Sequence, residues 1–188
     1  MTILVLPGLH GSGPGHWQRR WLDEVEDTVL VEQDDWDKPD LEKWLRRATA
    51  AVAANPGAFL AGHSLGAVLA VHLAARRPDL PIAGLLLVAP ADVDRHAALG
   101  RHIARFAPLP VVPLGRPAIV VASRNDPWMA IDRARVLADM WEAGFVDAGR
   151  TGHINADSGL GAWPEGLALV DRLRRMGGGM TIPRRAAG

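Results

Sequence analysis

The chain lacks several features that would point to particular classes of protein. None of its 188 residues is cysteine, so disulfide bonds and thiolate metal sites are excluded. Charge of one sign is not in excess, because 21 basic residues balance 21 acidic ones. A balanced chain has no overall field that would attract nucleic acid or an anionic membrane. No apolar run approaches the roughly 20 residues needed to span a bilayer, so we expect a cytoplasmic protein.

The composition that remains is that of an ordinary globular domain. Hydrophobic residues make up 48% of the chain and charged residues 22%. A chain of this length can bury a substantial core in one domain. We predict a domain over residues 1–175, followed by a glycine-rich basic tail over 176–188. We expect a monomer or a small homo-oligomer.

Short apolar runs alternate with longer helical patterns, which is typical of a parallel sheet covered by helices on both faces. Asp40 is the predicted N-cap of the second helix, and the Asn-Pro-Gly sequence at 55–57 should end it. The predicted pattern is a doubly wound sheet of about six parallel strands, whose ligands bind beyond the carboxyl ends of the strands. The predicted strands are 3–6, 28–32, 58–61, 84–88, 118–122 and 144–147, and the predicted helices are 15–25, 41–54, 65–76, 132–141 and 161–174.

The segment between 90 and 117 contains five prolines and only a weak helical pattern near 99–106. Prolines at this density interrupt helices and central strands. We therefore predict a loop there and no cap domain over the sheet.

The sequence Gly-His-Ser-Leu-Gly at 62–66 lies between a predicted strand and a predicted helix. This is the G-x-S-x-G pattern in the strand–turn–helix context where it places a serine hydroxyl above the sheet. Gly62 and Gly66 would let the backbone approach where a Cβ would clash. A chance turn is the alternative, since the pattern alone is common. The context indicates Ser64 as a nucleophile.

A serine hydroxyl needs an adjacent base to become nucleophilic at neutral pH. In proteins with this serine turn, the acid and then the histidine follow the serine along the chain. Of seven histidines, His153 is the one that follows the last predicted strand, and we predict it as the base. The other histidines precede the serine, lie in the helix after it, or lie in the proline-flanked segment: His10, His16, His63, His72, His96 and His102.

The acid should follow a strand near the end of the sheet. Asp126 comes directly after the strand predicted at 118–122, and we favour it as the acid that orients the histidine. Aspartate before proline is also common in structural turns. Asp92 and Asp94 follow the preceding strand and remain alternatives.

An oxyanion hole needs two backbone N–H donors. The residue after the nucleophile, Leu65, supplies one in this arrangement. The other should come from the glycine-rich loop at 7–13, where we choose Leu9 ahead of His10. That loop lacks the Gly-Lys-Ser/Thr ending of a phosphate-binding P-loop, so nucleotide binding is not expected. His10 and Trp128 are predicted to line the substrate pocket.

Asp34, Asp35 and Asp37 group three carboxylates after the second predicted strand, which could suggest a metal site. No histidine or further acid of suitable spacing accompanies them. We predict a solvated loop, and neither a metal nor a cofactor.

The sequence resembles the small α/β-hydrolase family that includes retinoblastoma-binding protein nine and many uncharacterised bacterial proteins. The resemblance covers about residues 2–174 and implies a single-domain α/β-hydrolase fold that carries a Ser64–Asp126–His153 triad and no cap domain. The segments that carry it are Pro-Gly at 7–8, Gly-His-Trp at 15–17, Gln-Asp-Asp-Trp at 33–36, the serine motif, Asn-Asp-Pro at 125–127, Gly-His-Ile-Asn at 152–155 and Trp-Pro at 163–164.

Three functions are compatible with these residues. Hydrolysis of a small ester or amide through an acyl-serine intermediate is the function that we favour. Acyl transfer would use the same residues with an alcohol or thiol in place of water. A non-catalytic interaction protein that kept the fold would be expected to show a damaged triad or oxyanion hole, and neither is visible. A serine at position 64 also argues against the aspartate-based chemistry of dehalogenases and epoxide hydrolases.

Overall fold

A computed structural model describes residues 2–95 and 102–177, and a parallel six-stranded sheet runs through its centre. The strands stand in the order β2-β1-β3-β4-β5-β6, and every neighbouring pair is parallel. The doubly wound α/β sheet predicted from the sequence is therefore confirmed, and the described residues contain no cap domain. The strands are β1 (Ile3–Leu6), β2 (Thr28–Leu30), β3 (Ala58–His63), β4 (Ile82–Val88), β5 (Ala118–Ala122) and β6 (Gly144–Asp147).

In the described residues, five helices cover the two faces of the sheet. One core lies between the sheet and α2, α3 and α4, and a second core lies between the sheet and α1 and α5. Leu4 belongs to the first core and Val5 to the second, because successive side chains of a strand point to opposite faces. No helix in the described ranges is long and apolar enough to cross a membrane. The helices are α1 (Trp17–Glu24), α2 (Leu41–Ala54), α3 (Leu65–Arg76), α4 (Ile131–Met140) and α5 (Pro164–Gly177).

The helix boundaries follow their caps. Asp40 accepts a hydrogen bond from the Lys43 N–H at the start of α2, as predicted. The predicted starts of α1 at 15 and of α5 at 161 are wrong, because Gly15 and Gly161 have positive φ angles that a helix does not allow. His16 caps α1, since its Nδ1 accepts from the Gln18 N–H.

The segment between β4 and β5 is mostly irregular over its described residues, 89–95 and 102–117. Its described part contains one 3-10 turn, Ile103–Phe106, where the sequence predicted a weak helix beginning near 99. Phe106 is buried and packs edge-on against Trp44, with 5.5 Å between ring centroids. Residues 96–101 lie outside the described residues, and so do residues 178–188 of the tail predicted over 176–188. The division between domain and tail stays a prediction.

The order of the strands creates a crevice above the sheet. The chain leaves β1 for β2 on one side, whereas from β3 it proceeds to β4 on the other side. Ligands of doubly wound sheets bind at such a switch point, beyond the carboxyl ends of the strands. The two loops that meet there begin at Pro7, after β1, and at Ser64, after β3.

Candidate active site

Ser64 occupies a sharp turn between β3 and α3. Its φ and ψ angles are 54° and −120°, a strained conformation for a residue other than glycine. The turn needs its two flanking glycines, as the sequence predicted. A Cβ on Gly62 would lie 2.6 Å from the Gly66 carbonyl oxygen, and a Cβ on Gly66 would overlap the Leu6 carbonyl oxygen. The Ser64 N–H donates to the Val88 carbonyl at 3.0 Å, which ties the strained turn to the end of β4.

The side chains of Ser64, His153 and Asp126 form a continuous chain of hydrogen bonds. His153 Nε2 lies 2.9 Å from Ser64 Oγ, and His153 Nδ1 lies 2.9 and 3.0 Å from the two Asp126 carboxylate oxygens. Only 11% of the His153 side chain and 1% of the Asp126 side chain are exposed. With the imidazole neutral, Nδ1–H donates to the carboxylate and Nε2 can accept the hydroxyl proton of the serine. This geometry suits removal of a proton from the serine by the histidine.

The alternative acids are held elsewhere. Asp94 accepts hydrogen bonds from the Leu109 N–H at 2.9 Å and from Arg133 Nη2 at 3.0 Å. Asp92 is buried, and one of its carboxylate oxygens lies 3.7 Å from Arg133 Nε. Both carboxylates therefore face Arg133, whereas Asp126 is the carboxylate that the structure brings to His153.

Residues from the end of β5 hold the loop that carries His153. Asn125 Oδ1 accepts from the Gly152 N–H at 2.9 Å and from the Ser123 hydroxyl at 2.9 Å. Ser123 Oγ in turn accepts from the Thr151 N–H at 2.9 Å. The loop that carries Asp126 and the loop that carries His153 are thus joined by hydrogen bonds next to the acid–base contact.

Two buried rings hold the main chain of the histidine loop from the other side. His63 Nε2–H donates to the His153 carbonyl at 2.8 Å, and Trp17 Nε1–H donates to the next carbonyl, that of Ile154, at 2.9 Å. Burial lowers the pKa of His63 well below its usual value, and the neighbouring His16 and His153 lower it further, so the ring stays neutral. Neither contact was predicted from the sequence. The one signal was the position of His63, directly before the serine.

The backbone around Ser64 offers two free N–H donors. The loop after β1 passes directly over the serine turn, since a Cβ on Gly8 would lie 3.2 Å from the Leu65 nitrogen. Within the described residues, the N–H groups of Leu9 and Leu65 have no acceptor. The His10 N–H donates to the Trp36 carbonyl at 3.0 Å. That bond engages the N–H of His10, the alternative donor. The N–H groups of Leu9 and Leu65, which were predicted for the oxyanion hole, are not engaged in the described residues.

A cavity of about 480 Å³ opens at Ser64 and His153. His10 and Trp128, the two residues predicted for the pocket, both line it. Other lining residues were not predicted from the sequence. They are the apolar residues Ala91 and Ile103 and the polar residues His16, His63 and Asn155, which we call the polar wall.

The three carboxylates after β2 are engaged with neighbouring residues. Asp34 pairs with Arg47, Asp35 accepts from the N–H groups of Asp37 and Lys38, and Asp37 lies 2.7 Å from His10 Nδ1. In the part of the chain that the structure describes, no group of three or more candidate ligands could hold a metal ion.

A parallel sheet in this strand order, with a serine on a strained turn after its third strand in sequence, defines an α/β hydrolase. The particular family follows from the sequence match: the chain belongs to the serine hydrolase family, whose model matches residues 3–172.

Solved structures agree with this assignment. A YdeN-like hydrolase of Pectobacterium atrosepticum is 33% identical, with a TM-score of 0.83 over 94% of this chain and 91% of that chain. The ydeN gene product of B. subtilis is 18% identical, with a TM-score of 0.75 over 92% of this chain and 97% of the other. Est1E from Butyrivibrio proteoclasticus, in a structure with ferulic acid bound, is 15% identical, with a TM-score of 0.68 over 93% and 87% of the two chains. The last two show a shared fold only. No curated protein sequence matches the chain.

Proposed function

We infer that this serine hydrolase cleaves small esters or amides through an acyl intermediate on Ser64, in the manner of a carboxylesterase. The observation that carries this proposal is the position of His153, whose two ring nitrogens contact Ser64 Oγ at 2.9 Å and the Asp126 carboxylate at 2.9 and 3.0 Å. An interaction protein without catalysis would not need this arrangement at the base of an open cavity.

In the first half of the reaction, Ser64 Oγ attacks the substrate carbonyl carbon and its proton passes to His153 Nε2. Asp126 stabilises the imidazolium that forms. The carbonyl oxygen becomes an oxyanion, and the free N–H groups of Leu9 and Leu65 are the donors that we assign to it. His153 then gives its proton to the leaving group as the bond between carbonyl carbon and leaving group breaks.

In the second half, water enters the cavity and attacks the acyl carbon. His153 takes a proton from the water, a second oxyanion forms on the same donors, and Ser64 Oγ leaves with the proton returned by His153. The products are a carboxylic acid and the free serine. Because every proton moves through His153, no cofactor is needed for either half.

The size of the apolar wall supports a small acyl group. Leu9, Leu65, Ile103 and Trp128 line the cavity beside Ser64, but the described residues between β4 and β5 form only one short 3-10 turn. A long acyl chain gains about 0.8 kcal/mol for each buried methylene, and that gain is lost where the chain stays in water. Acyl groups of two to six carbons would fit such a wall.

A fluorophosphonate probe tests the proposal directly, because it forms a covalent bond with an activated serine. The wild-type protein should be labelled at Ser64, and Ser64→Ala should lose both the label and the hydrolysis of p-nitrophenyl butyrate. Alanine keeps the Cβ, so the strained turn should persist and the variant should remain folded. Ser12→Ala, which changes a serine outside the hydrogen-bonded chain, is the matched control and should be labelled normally. Undiminished labelling of Ser64→Ala would refute the assignment.

Added alcohol acceptors, with analysis of the ester products, distinguish hydrolysis from acyl transfer.

A further inference from the structure

The polar wall of the cavity contains a buried donor without an acceptor. His16 is only 5% exposed, and its Nδ1 accepts from the Gln18 N–H at 3.1 Å. A neutral imidazole that accepts through Nδ1 carries its proton on Nε2. Within the described residues His16 Nε2 is buried and has no hydrogen-bond partner. A buried donor of this kind is costly to leave unpaired, so its presence in a cavity wall calls for a partner.

His16 acts as a neutral donor and not as a cation. Burial, and then the charge of His153, lower its pKa from 6.5 to about 4. At neutral pH the Nε2–H group can therefore donate to a ligand oxygen, but it brings no charge that would select an anion.

Asn155 provides a second free donor nearby, since a Cβ on Gly15, next to His16, would lie 3.9 Å from the Cβ of Ala156, next to Asn155. Its Oδ1 accepts from the Asp157 N–H at 3.1 Å, which assigns the oxygen and nitrogen of the amide. Within residues 2–95 and 102–177, the NH₂ group of the Asn155 side chain donates no hydrogen bond. Both Asn155 and His16 line the cavity that opens at Ser64.

The chemistry of the cavity wall limits what these donors can bind. Among the described residues that line the cavity, none is an aspartate, glutamate, lysine or arginine. A charged substrate group would therefore lack a counter-ion there, whereas an uncharged oxygen would satisfy the free donors without one.

His16 and Asn155 line the same cavity as His153, the residue that must protonate the leaving group in the proposed reaction. His153 must protonate the leaving group, so the alcohol portion of an ester has to lie beside its ring. Asn155 is two residues from His153 in sequence. The ring of His63 lies 4.8 Å from that of His153 and 4.7 Å from that of His16, measured between centroids.

We propose that the wall formed by His16 and Asn155 binds an uncharged oxygen in the alcohol portion of the ester, such as the second oxygen of a glycol or glycerol ester. This inference rests on the proposed function, because it assumes an ester whose acyl group is transferred to Ser64. It adds a substrate class that the catalytic residues alone do not define.

Two esters of nearly equal shape test the proposal. Butyl butyrate and 2-methoxyethyl butyrate differ by one ether oxygen in place of a methylene, and both give the same butyryl-serine. Their kcat/KM values, each divided by the rate of hydroxide-catalysed hydrolysis, therefore compare acylation only. We expect the wild-type protein to prefer the methoxyethyl ester about tenfold, the size of effect that one or two neutral hydrogen bonds produce.

Two substitutions of His16 separate its donor from its role as a helix cap. His16→Asn keeps an acceptor for the Gln18 N–H but lacks the Nε2–H group, and it should lower the preference about fivefold. His16→Gln places an amide N–H near the position of Nε2 and should retain most of the preference, although it removes the cap. His102→Asn changes an exposed histidine that does not line the cavity, and it should leave both rates unchanged.

Equal normalised rates for the two esters in the wild-type protein would overturn the inference. So would a preference that appears instead between butyl methoxyacetate and butyl butyrate, where the added oxygen is in the acyl group. A His16→Asn variant that loses activity equally on both esters would assign the residue a structural role only. If neither ester is hydrolysed and Ser64 is not labelled, the proposed function itself fails and this inference fails with it.

Discussion

Two histidine–aspartate pairs lie at the same cavity and differ mainly in burial. His153 Nδ1 lies 2.9 Å from Asp126, with 11% and 1% of the two side chains exposed. His10 Nδ1 lies 2.7 Å from Asp37, with 69% and 76% exposed. Water competes for the exposed pair and screens it, so such a pair contributes only about 0–1 kcal/mol. In the buried pair the carboxylate acts on the imidazole with little screening. A short histidine–aspartate distance is therefore not enough to identify a catalytic pair.

The two histidine–aspartate pairs also differ in the other groups that contact them. Asp126 also accepts from the Trp128 N–H at 2.9 Å, and the second nitrogen of His153 faces Ser64. The carboxylate is thus fixed from two directions, and the imidazole is fixed between two groups. Within the described residues, the ring of His10 forms a hydrogen bond only with Asp37, and it lines the cavity while staying largely exposed.

The largest expected effect comes from removing each carboxylate in turn. Asp126→Asn should lower kcat about 10⁴-fold, because an amide supports neither the correct tautomer nor the imidazolium. Asp37→Asn removes an exposed partner and should change kcat less than about twofold. Steady-state kinetics with p-nitrophenyl butyrate measure both. If Asp94→Asn is the crippling change and Asp126→Asn is mild, the acid has been assigned to the wrong strand.

A smaller effect should follow from removing the hydrogen bond that His63 donates to the main chain of His153. His63→Met removes the donor to the His153 carbonyl, and we expect kcat to fall about 10²-fold with KM changed much less, because a displaced base affects the chemical step. His63→Gln can still donate and should recover most of the loss. Equal defects in the glutamine and methionine variants, or a change confined to KM, would show that the contact does not position the base.

Burial of histidine should also make the protein sensitive to acid. The pKa of His16 is about 4 in the folded protein and 6.5 when the ring is exposed to water. Between these pH values the unfolded chain binds a proton that the folded chain does not. The free energy of unfolding should therefore fall by about 3 kcal/mol from this group as the pH drops from 6.5 to 4. Burial lowers the pKa of His63 and His72 in the same direction.

Urea unfolding at a series of pH values tests this expectation. His16→Asn keeps the helix cap but has no titrating ring, so its stability should depend less steeply on pH than that of the wild-type protein. His10→Asn, which replaces an exposed histidine, is the matched control. A slope that is identical in the wild type and in His16→Asn would contradict the prediction.

The smallest expected effect concerns the length of the acyl chain. Because the described part of the loop between β4 and β5 adds only Ala91 and Ile103 to the cavity wall, chains longer than about six carbons should gain little from burial. We expect kcat/KM for p-nitrophenyl esters to be highest between two and six carbons and to fall about tenfold by twelve. A maximum at ten carbons or beyond would mean that the loop covers a longer apolar trough.

Much of the fold was predictable because its signals are local. Strands β1, β5 and β6 and helices α2 and α3 have the predicted bounds, since apolar runs, an aspartate cap and a glycine turn mark them in the sequence. The errors arose where tertiary contacts decide a boundary. His63 pairs with Val88 and so extends β3 beyond its apolar run. Strand β2 lies at the edge of the sheet and stops at Leu30, before the predicted end at 32.

The order of motifs along the chain was by itself enough to propose Ser64 as nucleophile and His153 as base, because the strand–turn–helix context of a nucleophile and the position of its histidine are properties of the sequence. The choice among Asp92, Asp94 and Asp126 needed the structure, since each follows a strand and only packing decides which carboxylate reaches the imidazole. The same holds for the contacts of His63 with residue 153 and of Trp17 with residue 154, which are 90 and 137 positions apart in sequence. The unpaired Nε2–H group of His16 was likewise visible only in the structure. Local patterns carry no information about groups that meet only when the loops at the end of the sheet are brought together.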